Sequence, residues 1–180
     1  MNSDSVTLRI SELERNGNLH GKVNAVYVPC YLNGGDGVVD ISYYDILPAI
    51  DITVFASYYE PWGYTPLESI AFGIPTITTD KSGFGQWILS TRENSVFKSG
   101  VRVIPRTDSN YHVATHEIAG EIIRYSNASA DKRLSARKEA VATAALADWK
   151  YFIGSYFEAF KVASKRRDER LKKKTQKVEI

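Results

Sequence analysis

The chain has 180 residues, enough for one domain with a sizeable core, and 43% of them are apolar against 24% charged, which excludes wholesale disorder. No apolar run approaches the length that crosses a bilayer, and residues 1–10 have polar residues where a secretory leader has its apolar core. Cys30 is the single cysteine, so an internal disulfide is excluded, a cysteine-built metal site is excluded, and the cytoplasm is the expected compartment. The formal charge of +2 divides unevenly: residues 164–180 hold eight Lys or Arg against three acids, leaving fifteen against eighteen elsewhere. The slightly acidic body has no basic stripe, so nucleic acid is not expected as a partner, and the basic tail reads as a solvated helix end.

In chain order, residues 23–29 (VNAVYVP) predict a buried strand, followed by a turn-rich loop at Asn33-Gly34-Gly35-Asp36-Gly37. Residues 43–50 predict a short helix and 51–56 (DITVFA) a second strand. An aromatic loop over 57–64 leads into a helix from Pro66 to about Phe72, and 74–79 (IPTITT) predict a third strand. The turn Ser82-Gly83-Phe84-Gly85 opens a brief helix at 86–89, and 95–105 hold a fourth strand or a hairpin. Two helices follow, at 112–126 and 131–165. This alternation argues for an α/β domain with a mainly parallel sheet. Trp149, Phe152, Ile153, Tyr156, Phe157 and Phe160 recur at helical spacing and form an aromatic packing stripe.

The segment that points to chemistry is YYEPWGYTPLES, residues 58–69. It leaves a strand and enters a helix, the edge at which open α/β sheets bind ligands. Thr65 reads as an N-cap, Pro66 as the first helical residue and Glu68 as the partner in a capping box. Backbone N–H groups at such a helix start suit a phosphate, and Gly63 has no side chain to hold a ligand off. Glu68 reads equally as a helix cap and as a ligand contact, and Glu60 as a surface acid or a ligand group. Tyr58, Tyr59, Trp62 and Tyr64 either close the loop onto the core or offer aromatic faces. Carboxylates beside aromatic faces suit a sugar, with its apolar ring faces and many hydroxyl donors. The residues themselves lead to a phosphorylated or sugar-bearing ligand.

The same string resembles a known family. Glu60 and Glu68 stand in the E-x7-E spacing of retaining GT-B glycosyltransferases, and YYEPWGYTPLES with GIPTITTDKSGFG (73–85) is similar to the glycogen synthases of glycosyltransferase family 3. Val28-Pro29-Cys30-Tyr31-Leu32 upstream and Asp148-Trp149-Lys150-Tyr151 downstream extend the resemblance over about 23–163. It implies the Rossmann-like C-terminal half of a GT-B enzyme, lacking its first strands. Residues 1–163 would form a partial nucleotide-sugar-binding domain with a long C-terminal helix, and 164–180 a basic tail. The implied reaction moves glucose from UDP-glucose to the non-reducing end of an α-1,4-glucan, with retention and without a metal or other cofactor.

By the same resemblance, Glu60 is the catalytic residue, binding glucose hydroxyls and holding the charge that develops during transfer. Backbone groups at Trp62, Gly63 and Tyr64 contact the sugar, Tyr64 and Thr65 lie at the diphosphate, Glu68 takes the ribose hydroxyls, and Tyr43 stacks on the uracil. The family's acceptor-side domain and its basic pair for the pyrophosphate have no counterpart in these residues, Lys81 being the nearest cation in sequence. The expectation is a donor-binding part that is inactive alone and needs the N-terminal GT-B domain as partner. Without strands one and two, the sheet would have an unpaired gap, or 23–29 would pair elsewhere, and exposed edges would invite homo-oligomers. Arg133, Arg137 and Lys138 are too few to imply the regulatory response of the family's arginine-rich helix. His112 and His116 share a helix face but have no evident third ligand beyond Glu117. Two alternatives remain: a GT-B enzyme using ADP-glucose or another nucleotide-sugar, and a non-catalytic module that binds a nucleotide-sugar or a protein.

Overall fold

The computed structural model describes residues 4–16 and 23–176. The chain divides into two compact units between Leu47 and Pro48. In the first, helix α1 (Ser5–Arg15) starts at Asp4, whose carboxylate accepts from the Val6 and Thr7 N–H groups at 2.9 and 3.1 Å. The sequence reading had no helix here, although Asp4 before a run with helical apolar spacing is a start signal. Residues 23–29 form no strand: the segment is irregular and mostly exposed. Its apolar run lacks the second layer and the pairing neighbour that a buried strand requires. The glycine-rich loop is a turn, as expected, built around Asp36, whose carboxylate accepts from Val38 and Val39 N–H at 2.9 and 2.8 Å. Helix α2 (Tyr43–Ile46) passes into a 3-10 turn at Leu47–Ala49.

The second unit is a Rossmann-like α/β arrangement. Strands β1 (Thr53–Phe55), β2 (Thr76–Thr79) and β3 (Val101–Ile104) pair in parallel in that order, with Thr53 opposite Thr76 and Thr76 opposite Val101. The three lie inside the segments read as strands. Residues 95–105 resolve into a helical turn, α5 (Val96–Ser99), ahead of β3.

Helix α3 (Tyr64–Ala71) crosses from β1 to β2, and α4 (Gly83–Thr91), longer than the brief helix expected, follows β2. Ile70, Phe84 and Ile88 pack with Val101 and Val103 on one face of the sheet, together with Ala140 of α7 (Ala130–Ala144). On the other face Ile77 and Ile104 meet Ala114 of α6 (Tyr111–Ser126). Every residue of β2 is therefore buried, as a central parallel strand covered on both sides must be. Strand β1 has no neighbour on its far side among the described residues, and Val54 is 40% exposed. A hydroxyl cluster ties α3 to the sheet, with Thr53 Oγ1 2.6 Å from Ser69 Oγ and 2.8 Å from Thr76 Oγ1.

The helix expected over 131–165 is two helices. Helix α7 ends in a 3-10 turn (Ala145–Ala147), Asp148 takes extended ψ of 137°, and α8 (Trp149–Gln176) begins after it. The Asp148 carboxylate accepts from Lys150 N–H at 3.1 Å, the local bond by which an aspartate competes with helix continuation. At 28 residues, α8 runs about 42 Å and carries the basic tail as helix as far as Gln176; residues 177–180 lie outside the described residues. Only part of its aromatic stripe is packed: Phe152 meets Trp62 and Trp87, while Trp149, Tyr156, Phe157 and Phe160 remain about half exposed or more.

Candidate functional site

The carboxyl end of β1 releases the loop 56–63, and the way this loop is held decides what the site offers. Its backbone is sewn to the connection after β2. Glu60 N–H donates to Lys81 O at 3.1 Å, Gly83 N–H to Glu60 O at 3.1 Å, and Phe84 N–H to Trp62 O at 2.7 Å. Thr79 Oγ1 donates to Ser57 O at 2.6 Å. Two adjacent strands thus present their outgoing loops as one rigid ledge, the position where parallel sheets take ligands.

Gly83 makes this approach possible: a Cβ there would stand 2.3 Å from Pro61 O. At the other end of the loop, Gly63 has φ of 117° and is the N-cap of α3. A Cβ on Gly63 would lie 3.1 Å from Pro66 Cγ and 3.2 Å from Phe84 Cβ, so this turn belongs to glycine for space as well as for φ.

This corrects the capping box. Thr65 lies inside α3 rather than ahead of it, Pro66 is the third helical residue, and the helix start has no side-chain cap. Glu68 is therefore a partly buried residue of the second turn, four positions from Tyr64 and on the same face of the helix. Among the described residues the N–H groups of Tyr64 and Thr65 take no side-chain cap, which leaves them and the positive end of the helix dipole open to an anion.

Glu60 is half-buried, with its backbone fixed on both sides. Among the described residues its carboxylate takes one hydrogen bond, from Ser57 Oγ at 3.1 Å, and enters no ion pair. Oε2 stands 3.5 Å from where a Gly63 Cβ would be, so the carboxylate lies at the start of α3. A carboxylate with spare acceptor capacity beside open N–H donors is equipped to take hydroxyls and a phosphate together.

The aromatics divide between the two readings left open. Trp62 is packed among Phe84, Trp87 and Phe152, with ring centroids 6.2, 6.0 and 5.8 Å away, so it offers a ligand its backbone rather than its ring. Tyr59 and Tyr64 are exposed. A cavity of about 320 Å³ opens beside Trp62, Tyr64 and Leu67 of this unit and continues along Ala147, Trp149, Phe152 and Tyr156 of the carboxyl-terminal segment. Glu60 is not in its wall. Tyr43 belongs to the first unit, where its ring lies 5.2 Å from that of Tyr44 and its N–H donates to Leu32 O at 2.9 Å.

One cation escaped the sequence reading. Lys81 is the nearest cation to the motif in sequence, beyond β2, and its ammonium pairs with Asp80 at 3.5 Å. Arg106, just past β3, places its guanidinium carbon 4.1 Å from the centroid of the Tyr58 ring. The signal available in sequence was its place two residues after a strand, at the same carboxyl edge. No spacing rule ties it to Tyr58.

His112 and His116 are exposed on α6, and among the described residues no group of three or more His, Cys, Asp or Glu is placed to hold a metal. Among the same residues no helix is long and apolar enough to cross a membrane.

The family model described as glycogen synthase matches residues 2–179. Glycogen [starch] synthase of Neurospora crassa is 32% identical over 81% of this chain and 20% of its own length. Isoform 1 of the same enzyme from Saccharomyces cerevisiae is 29% identical over 81% of the chain and 21% of its own length. The Caenorhabditis elegans enzyme is 33% identical over 71% of the chain and 19% of its own length. The chain thus spans about a fifth of the length of the curated relatives it matches. With a family model covering nearly every residue, the chain belongs to the glycogen synthase family.

Proposed function

We propose that this chain supplies the donor-binding surface of a retaining GT-B glucosyltransferase, which moves glucose from UDP-glucose onto the non-reducing end of an α-1,4-glucan in the cytoplasm. The observation that carries this reading is the state of Glu60: its backbone is bonded on both sides to the neighbouring loop, while its carboxylate, at an uncapped helix start, accepts only from Ser57 among the described residues. The names of the relatives, glycogen [starch] synthases, support the reaction class.

In this reading the Glu60 carboxylate accepts hydrogen bonds from hydroxyls of the glucosyl group and stabilises the positive charge that develops there as the bond to UDP breaks. The N–H groups of Gly63, Tyr64 and Thr65 meet the sugar and the diphosphate, and their fixed orientation costs no rearrangement as negative charge grows on the leaving group. Glu68, on the same face of α3 as Tyr64, takes the ribose hydroxyls. No metal enters the scheme.

The cations near the ledge are poorly placed to neutralise a leaving diphosphate: Lys81 is paired with Asp80, and Arg106 is buried against Tyr58. The chain alone therefore binds the donor without completing transfer, and transfer needs the acceptor-side GT-B domain as partner.

Calorimetric titration with UDP-glucose and, in parallel, ADP-glucose tests the reading. Saturable binding of UDP-glucose that Glu60→Ala weakens is the expected result. Preference for ADP-glucose would reassign the donor, and no heat from either ligand at millimolar concentration with a folded chain would refute the donor site.

A further inference from the structure

We infer that Arg106 is a positioning residue for Glu60, acting through the ring of Tyr58; the inference rests on the donor-binding reading for its consequence and on the loop geometry for its mechanism. Arg106 is 5% exposed, and its guanidinium carbon lies 4.1 Å from the Tyr58 ring centroid and 5.3 Å from that of Tyr111. Among the described residues its Nε is buried without a hydrogen-bond partner and the side chain enters no ion pair. What meets this buried cation is a pair of aromatic faces. A guanidinium removed from water and left without a carboxylate is a costly element to keep for packing alone. Its attraction to a ring grows as water is excluded.

The backbone of Arg106 is itself fixed. Its N–H donates to Asp80 Oδ1 at 2.8 Å, and Asp80 N–H donates to Ile104 O at 3.1 Å, so the cation is anchored to the ends of β2 and β3. Tyr58, by contrast, is 57% exposed, and Arg106 is the fixed group against its ring. Tyr58 follows Ser57, the hydroxyl that holds the Glu60 carboxylate. The loop thus has an inner anchor, the bonds of Glu60 and Trp62 to the connection after β2, and an outer anchor, Tyr58 on Arg106. The outer anchor fixes the turn through which Ser57 reaches Glu60. A lysine cannot replace it, because an ammonium lacks the planar face that lies along a ring.

The test compares Arg106→Met, Tyr58→Leu, the double variant and Tyr58→Phe in the 180-residue chain, by UDP-glucose affinity and by ligand-free amide hydrogen exchange. Each of the first two weakens UDP-glucose binding by about tenfold, between the scales of an exposed and a desolvated cation–π contact. The double variant loses no more than either single one, and Tyr58→Phe, which keeps the ring face, restores what Tyr58→Leu loses. Exchange accelerates in residues 57–63 and not in β3 or α6. Additive losses of affinity, or acceleration spread evenly through β3 and α6, would overturn the inference and leave Arg106 a packing residue. If Arg106→Met fails to fold, Tyr58→Leu decides, since its side chain is exposed and the exchange of 57–63 reads the same anchor. If the unsubstituted chain binds no UDP-glucose, the donor reading falls separately: exchange confined to 57–63 would still uphold the anchor, and uniform exchange would sink it.

Discussion

Replacing Gly83 by alanine probes the ledge directly. The added methyl would stand 2.3 Å from Pro61 O and 3.2 Å from Pro61 C and Trp62 Cα. Ordinary C···O contacts begin at about 3.3–3.6 Å, so the loop must retreat on the order of 1 Å. That movement stretches three bonds across the junction: Glu60 N–H to Lys81 O, Gly83 N–H to Glu60 O, and Phe84 N–H to Trp62 O. At about 0.5–1.5 kcal/mol net for each of the three bonds, their loss costs about 1.5–4.5 kcal/mol. It also releases the Glu60 backbone, so donor binding falls with stability. Urea unfolding and UDP-glucose titration on the same preparation measure both. Gly120→Ala is the internal control: its Cβ would meet nothing within 4 Å, and an alanine inside α6 should add about 0.5–1 kcal/mol. A Gly83→Ala variant within about 0.5 kcal/mol of the parent chain and with unchanged affinity would refute the stapled loop, because bonds of this size could not then have been disturbed.

Two further outcomes follow from the packing. Phe84 is fully buried against Trp62 and Trp87 beneath the ledge, so Phe84→Ala should cost about 3–5 kcal/mol by urea unfolding, and a loss under about 2 kcal/mol would contradict the aromatic core. Burial chiefly holds the Tyr125 phenol above its ordinary value of 10.0, with the Asp51 charge acting the same way and Arg137 and Arg133 opposing. The native chain then keeps a proton that the unfolded chain releases, so the contribution is complete below the ordinary value and is lost as pH rises towards the higher native one. Urea midpoints should fall more steeply above pH 10 for the parent chain than for Tyr125→Phe, and parallel profiles would contradict it.

Much of the second unit was legible because its signals are local. Short β-rich runs marked β1, β2 and β3, the last two flanked by Gly and Pro, and the strand–loop–helix order placed the motif at the carboxyl edge of the sheet. The errors arise where a tertiary or one-residue choice decides. Thr65 and Glu68 fit the capping box by spacing, but Gly63 alone tolerates φ of 117° at the close approach to Phe84, so the helix begins earlier. Residues 23–29 have strand composition, yet composition cannot supply the neighbouring strand that would satisfy their backbone. The break at Asp148 depends on one carboxylate taking the Lys150 N–H, against an alanine-rich background that favours continuation. Arg106 was invisible for a different reason: only the parallel order β1-β2-β3 brings the end of β3 across to the loop that follows β1.

The central claim is that the β1–α3 loop holds a nucleotide-sugar by the Glu60 carboxylate and the uncapped start of α3. Backbone amide shifts of the labelled chain, followed through a UDP-glucose titration with Glu60→Ala as the paired sample, test it most directly. The expected result is saturable shifts centred on Gly63, Tyr64 and Thr65, reaching Gly83 and Phe84 across the ledge, and strongly reduced in the variant. Shifts that cluster away from this loop, or that persist unchanged in Glu60→Ala, would contradict it.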